Sequence, residues 1–194
     1  KIKKISEVVN EVLPEIQISG VTQKMGMNRK TAHSYSRNFE GSFGQIRDVI
    51  IVEASWLGYF EPNEKRQIRT FITEIMEQNH QQEIIKEFCL EPFDVSVLNP
   101  KRTFCEKIMS LVRFSYTENP IQDLRSKIRH IYDLHQLLKN EEIITFFESS
   151  DFPEMLEKVR KDDVLSYKNN NNWLSQPLKN ALIFKNLEEV WKEL

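Results

Sequence analysis

At 194 residues the chain is long enough to bury a substantial core, and its 40% hydrophobic content agrees with that. Charge is nearly balanced, 27 Lys+Arg against 29 Asp+Glu, which excludes a global basic field for nucleic acid and leaves only local patches. The two cysteines, Cys89 and Cys105, have no metal-ligand spacing, no apolar run approaches the ~18 to 20 residues that cross a bilayer, and no secretory signal precedes the fold, so a reduced, cytoplasmic protein with no membrane contact is expected.

Residues 1–13 place Ile2, Ile5, Val8, Val9 and Val12 at helical spacing, and Pro14 stops the run. Residues 21–39 admit a helix-turn-helix, with Gln23 and Lys24, a turn at Gly26, and Asn28, Arg29, Lys30 and Thr31 opening a recognition helix. Too few apolar residues precede Gly26 to hold a supporting helix, however, and His33, Tyr35, Arg37 and Phe39 alternate as a strand does. A polar loop leading into a strand fits better, and DNA is not expected as a partner. The run 41–44 then turns the chain into residues 49–52, apolar on both faces, which predicts a central strand covered on both sides. Glu53 follows on the face of Val49 and Ile51. Residues 68–76 fit either a strand or a helix, 82–90 a short helix ended by Pro92, and 93–98 a short alternating strand.

Pro100 opens the next helix, since proline at a first helical position loses no hydrogen bond. Cys105, Ile108, Met109, Leu111 and Val112 fall on one apolar arc, and Lys107 falls inside it, between Leu111 and Phe114. A lysine there must either be paired or reach water. Geometry alone favours a lysine snorkelling at the core margin; the competing reading points it into a cleft. Asn119-Pro120 opens a second helix, with Ile121, Leu124, Ile128, Ile131, Leu134 and Leu138 as its buried stripe and Arg125, Arg129 and Asp133 on the other side. Further helical segments are expected at 141–147, 153–167 and 178–194, broken by the polar run 169–172, with Trp173, Phe184 and Trp191 as packing anchors. The pattern predicts an α+β protein, a small mixed or antiparallel sheet followed by a C-terminal helical bundle.

The run PKRTFCEKIMSL followed by RSKIRHIYDLHQL resembles the C-terminal signature of the AbiEii/AbiGii toxin family, nucleotidyltransferase-like toxins of bacterial abortive-infection toxin–antitoxin systems. The matching positions are Pro100, Arg102, Thr103, Glu106, Lys107, Arg129, His130, Tyr132, Asp133 and Leu134. The resemblance implies that residues 1–98 are the C-terminal part of a nucleotidyltransferase-like domain and that residues 99–194 are a helical domain carrying the two motifs. It implies transfer of nucleotides from a nucleoside triphosphate, with Mg²⁺, to an RNA acceptor, transfer RNA foremost, and a cognate antitoxin as partner. Lys107 would then contact phosphates, Arg129 would support phosphate or order Asp133, and Asp133 would position or deprotonate the attacking hydroxyl. Arg125 and His130 would bind substrate. Glu53 would be a third metal-binding acid at the end of a strand.

Such an enzyme also needs a Gly-Ser or Gly-Gly turn followed by Asp-x-Asp. Gly41-Ser42 has no Asp-x-Asp after it, and the adjacent Asp162 and Asp163 would point apart. Those elements are therefore expected upstream of Lys1, and this chain alone is expected to be inactive and to bind no Mg²⁺-nucleotide tightly. The alternative is a non-catalytic module, reading DNA through residues 21–39 or binding protein through the helical tail.

Overall fold

The computed structural model describes residues 2–24, 26–36, 41, 48–167, 171–185, 188, 190 and 192. It is a mixed α+β structure with two small antiparallel sheets and its helices concentrated in the C-terminal half. The chain divides into two compact units, Lys1–Gly58 and Tyr59–Leu194.

In the first unit α1 (Ile2–Val12) packs on a sheet ordered β1-β2-β3, formed by β1 (Glu15–Ile16), β2 (Asn28–Ser34) and β3 (Val49–Ser55). The strand at the centre is β2, where Thr31, Ala32 and His33 are wholly buried. Two polar residues survive there because their groups are satisfied: the His33 ring lies 3.0 Å from the Thr31 hydroxyl and 2.9 Å from the Leu13 carbonyl oxygen. Among the described strands β3 pairs with β2 alone, and Ile50 is 43% exposed. Residues 49–52 therefore form an edge and not the doubly covered strand that their apolar run predicts. The helix-turn-helix alternative is also overturned. Asn28 to Thr31 are ladder residues facing β3, and Gln23 and Lys30 exchange backbone hydrogen bonds of 2.8 and 2.7 Å around a turn through Gly26 at φ +86°. The strand begins at Asn28, earlier than the alternation from His33 implies; Arg37, Phe39 and residues 42–44 lie outside the described residues.

In the second unit β4 (Asn63–Ile68) and β5 (Phe93–Leu98) pair antiparallel, from Asn63 opposite Leu98 to Ile68 opposite Phe93. Residues 68–76 do both things their pattern allowed, ending β4 and then forming α2 (Phe71–Gln78) after an N-cap at Thr70, whose hydroxyl accepts from the Thr73 N–H at 3.1 Å. A short α3 (Gln82–Glu87) follows. Asn99 then caps α4 (Pro100–Phe114), its side-chain oxygen accepting from the Lys101 N–H at 2.9 Å, with Pro100 in the first turn. Around α4 lie α5 (Pro120–Arg125), α6 (Ile128–Leu137), α7 (Glu141–Phe147), α8 (Asp151–Ser166), two 3₁₀ turns and α9 (Leu182–Lys185). Phe104, Cys105 and Met109 of α4 anchor one core cluster with Ile143, Phe146, Val159 and Trp173, and Leu111 and Val112 anchor a second with Leu124, Ala181 and Ile183.

The helix expected from Pro120 to Leu138 is two helices. Ser126 turns its hydroxyl onto the Asp123 carbonyl at 2.6 Å and Lys127 leaves helical geometry at φ −112°, ψ 10°. The break resets the helical phase. Ile128, expected in the buried stripe, comes out 40% exposed and Leu138 41% exposed, while Ile131 and Leu134 pack inward. The expected tail helix opens as a 3₁₀ turn and is helical in α9 and at residues 188, 190 and 192, with the rest of residues 186–194, Trp191 included, outside the described residues. Trp173 is the anchor it was expected to be at 1% exposure, whereas Phe184 is 49% exposed.

What fixes α8 against α4 is charge. Arg102, 1% exposed, donates from Nε to Glu106 at 2.8 Å, from Nη2 to Asp162 at 2.8 Å and from Nη1 to the Glu61 carbonyl at 2.8 Å, with its guanidinium over the Tyr59 ring. Near the other end of α4, Arg113 donates to Asp163 and lies 3.8 Å from the Tyr167 ring centroid. Burial pushes the Glu106 carboxyl up, opposed by Arg102, and pushes Asp163 up to about 6 against the pull of Arg113. Such cations cannot be removed without orphaning their acids. Arg102→Met, which keeps the stem's packing, is expected to lower unfolding free energy by about 3–5 kcal/mol at neutral pH. Without its cation the folded Glu106 pKa rises further, so protonation favours the folded variant and the deficit should shrink as pH falls through the carboxylate range. Urea denaturation at neutral and mildly acidic pH measures both; a loss below about 1 kcal/mol, in the range of exposed pairs, would contradict the assignment.

Candidate functional site

The stripe Arg102, Glu106 and Arg113 turns one side of α4 toward α8, and the neighbouring side, with Lys107, faces α6. Lys107 does not snorkel. Its Nζ donates to Asp133 Oδ2 at 2.7 Å, joining residues 26 apart in sequence, and lies 3.5 Å from His130 Nδ1. The pair is only partly sheltered, with 21% of the Lys107 side chain and 32% of Asp133 exposed. Both charges therefore keep contact with solvent.

Asp133 accepts from Lys107, and this hydrogen bond, with the charges of Lys107, Arg129 and His130, holds its carboxyl below the usual range against a smaller effect of burial. His130 is pushed below the ordinary imidazole range, first by burial and then by the charges of Lys107 and Lys127. It is thus neutral at pH 7, and in the tautomer protonated at Nε2 its Nδ1 faces the ammonium as an acceptor. Arg129, exposed in the first turn of α6, acts on Asp133 through charge; the intrahelical pair that their spacing allows is replaced by the pair across to α4. Arg125 ends α5, exposed and just ahead of the break. Three of the five residues singled out in the helical region, Lys107, His130 and Asp133, thus meet at one point.

Glu53 belongs to the first unit, on β3, where it stands across the ladder from Lys30 with an Nζ–Oε2 separation of 3.6 Å. This is the geometry of an ordinary cross-strand ion pair. Among the described residues no group of three or more His, Cys, Asp or Glu side chains is arranged to hold a metal ion. The acids around α4 do not form a donor set for Mg²⁺, since Glu106, Asp133, Asp162 and Asp163 are each paired with a lysine or arginine. Asp162 and Asp163 diverge as their adjacency predicts, one to Arg102 and the other to Arg113. Cys105 is buried, and burial pushes its thiol up to about 12, which rules out a thiolate nucleophile at neutral pH.

The Arg102 and Arg113 networks were not singled out from sequence. Their signal was present in the spacing of Arg102, Glu106 and Arg113, which recur on one helical face, but the acids that α8 contributes lie 60 and 50 residues away.

A family model described as nucleotidyl transferase AbiEii toxin of a type IV toxin–antitoxin system matches residues 1–194. The chain belongs to this AbiEii family. No curated protein and no solved structure matches it. Membership makes it a toxin-family protein whose system includes an antitoxin, and whose relatives generally use a nucleoside triphosphate and a divalent metal. No described helix of this AbiEii protein is long and apolar enough to cross a membrane.

The state of His130 is directly testable. Followed by NMR, its ring should titrate below the ordinary value of about 6.5. In Lys107→Met, which removes the nearest cation, the midpoint should move up. Titration above 6.5 in the unsubstituted protein, or a midpoint indifferent to Lys107, would contradict the site geometry.

Proposed function

We propose that this chain supplies the phosphate-binding and hydroxyl-activating side of nucleotidyl transfer from a nucleoside triphosphate to an RNA acceptor, transfer RNA being the foremost candidate. The observation that carries the proposal is the half-sheltered contact of Lys107 with Asp133, which couples the Glu-Lys motif of α4 to the Tyr-Asp-Leu motif of α6.

In this reading the resting ion pair is a placeholder. A triphosphate competes with Asp133 for the Lys107 ammonium, a compact point charge suited to phosphate oxygens. Losing that hydrogen bond removes the first cause of the depressed Asp133 carboxyl, and the freed carboxylate becomes a better proton acceptor for a hydroxyl placed beside it. His130, neutral, can accept from the ammonium during the exchange or hydrogen-bond the substrate. Arg129 and Arg125 supply exposed positive charge to the RNA backbone. A divalent metal, where bound, would neutralise phosphate charge. Among the described residues no group of three or more His, Cys, Asp or Glu is arranged to hold it.

The partial exposure of the pair makes it a weak contributor to folding, so stability and activity should separate. Lys107→Met and Asp133→Asn, made in the native gene, should each change unfolding free energy by no more than about 1 kcal/mol. Each should abolish growth arrest by the toxin and labelling of RNA from a radioactive nucleoside triphosphate. Variants that fold normally and remain fully toxic would remove both residues from the site; variants that unfold would return them to the scaffold.

A further inference from the structure

The helix α2 hides its polar side and shows its apolar one. At about 100° per residue Phe71, Ile72 and Ile75 share one face and Thr73 lies across from it. Thr73 is nonetheless wholly buried, while the other three are 83%, 54% and 58% exposed. Hydrogen bonds hold the threonine in: its hydroxyl donates to the Leu90 carbonyl at 2.9 Å and its N–H donates to the Thr70 hydroxyl. Folding alone would select the opposite arrangement, because apolar area left in water contributes nothing. More large apolar side chains stay exposed close by in the chain: Ile68 and Phe93, opposite one another in the β4–β5 ladder, and Phe88 at the end of α3. Apolar surface gathered in this way marks a contact with another molecule.

The segment that carries this face is acidic. Residues 68–94 hold Glu74, Glu77, Glu83, Glu87, Glu91 and Asp94 against Arg69 and Lys86. Arg69 is engaged by Glu74 at 3.3 Å and Glu77 at 2.9 Å. Glu83, Glu87, Glu91 and Asp94 are exposed and have no ion-pair partner among the described residues. We propose that this segment docks a basic amphipathic helix of a partner protein, the apolar stripe of that helix on Phe71, Ile72 and Ile75 and its lysines or arginines answering the unpaired acids.

Charge selects this occupant from those that an apolar face can take. A second copy related by a two-fold axis would bring the same acids onto one another. An anionic lipid surface or a nucleic-acid backbone would be repelled. Residues at i, i+1 and i+4 form a ridge of the kind that packs into the groove of another helix. None of these residues is assigned to nucleotidyl transfer, so the inference does not rest on that reading.

Fluorescence anisotropy of the fluorescein-labelled peptide LKKLLKLLKKLLKL, titrated with the purified protein, tests the proposal. Saturable one-to-one binding that weakens as salt rises is expected, with none for the acidic counterpart LEELLELLEELLEL. Phe71→Ser and, separately, Ile75→Ser should each weaken the basic peptide several-fold while circular dichroism shows a folded protein. Val12→Ser, in the exposed stripe of α1, should leave binding unchanged. Glu83→Lys with Glu87→Lys should weaken the basic peptide and admit the acidic one. Absence of saturable binding overturns the inference, as does equal binding of the two peptides or undiminished binding by both folded serine variants. Self-association in sedimentation velocity that Phe71→Ser abolishes would give the face to a second copy instead. Binding to phosphatidylglycerol vesicles lost in the same variant would give it to a membrane, and either result overturns the proposal.

Discussion

A guanidinium that has lost nearly all contact with water must be surrounded by acceptors, and Arg102 satisfies that demand from three directions at once. Glu106 belongs to its own helix, Asp162 to α8, and the Glu61 carbonyl to the segment before β4. With Arg113 and Asp163 repeating the arrangement farther along, α8 is tied to α4 at two points, and neither tie can slide without stranding a charge. Apolar contacts supply most of the driving force for the helical unit, but such contacts are non-directional. The paired charges give the register.

That register decides what α4 has left to offer. With one polar side spent on α8 and the apolar arc on two core clusters, Lys107 is directed at α6. Asp133 and His130 reach it because the break at Ser126 and Lys127 rephases α6 relative to α5. The contrast between the two kinds of ion pair is functional in its implications. The Arg102 and Arg113 guanidiniums are buried and hold structure, whereas both members of the Lys107 pair are partly exposed, and in the proposed reading that pair is exchanged for a ligand. Enzyme sites commonly carry charges that folding alone would not select.

Much of this was legible in the residues. Pro100 announces the start of α4, the alternation of residues 93–98 gives β5, and the anomaly of a lysine inside an apolar arc marks the candidate site. What Lys107 meets was not legible, because Asp133 lies on another helix and spacing within one helix says nothing of a partner across a seam. The sheet of the first unit misled for a related reason. Four consecutive apolar residues at 49–52 looked central, and the polar run from Asn28 looked like a loop. Yet β2 is the buried strand, because Thr31 and His33 satisfy one another and the Leu13 carbonyl. The break at Ser126 was invisible to periodicity, since neither serine nor lysine carries the strong helix-breaking penalty of glycine or proline.

Whether the Lys107–Asp133 contact exists for the fold or for the chemistry is decided most directly by exchanging its charges. A protein carrying both Lys107→Asp and Asp133→Lys keeps one cation and one anion facing each other across the α4–α6 seam. A structural pair is indifferent to the swap; a phosphate-binding ammonium on α4 and a proton acceptor on α6 are not. Thermal denaturation and growth arrest should be measured together on the swapped toxin. The account predicts a melting temperature near that of the unsubstituted protein with growth arrest lost, and a swapped protein that arrests growth as fully as the original would contradict it.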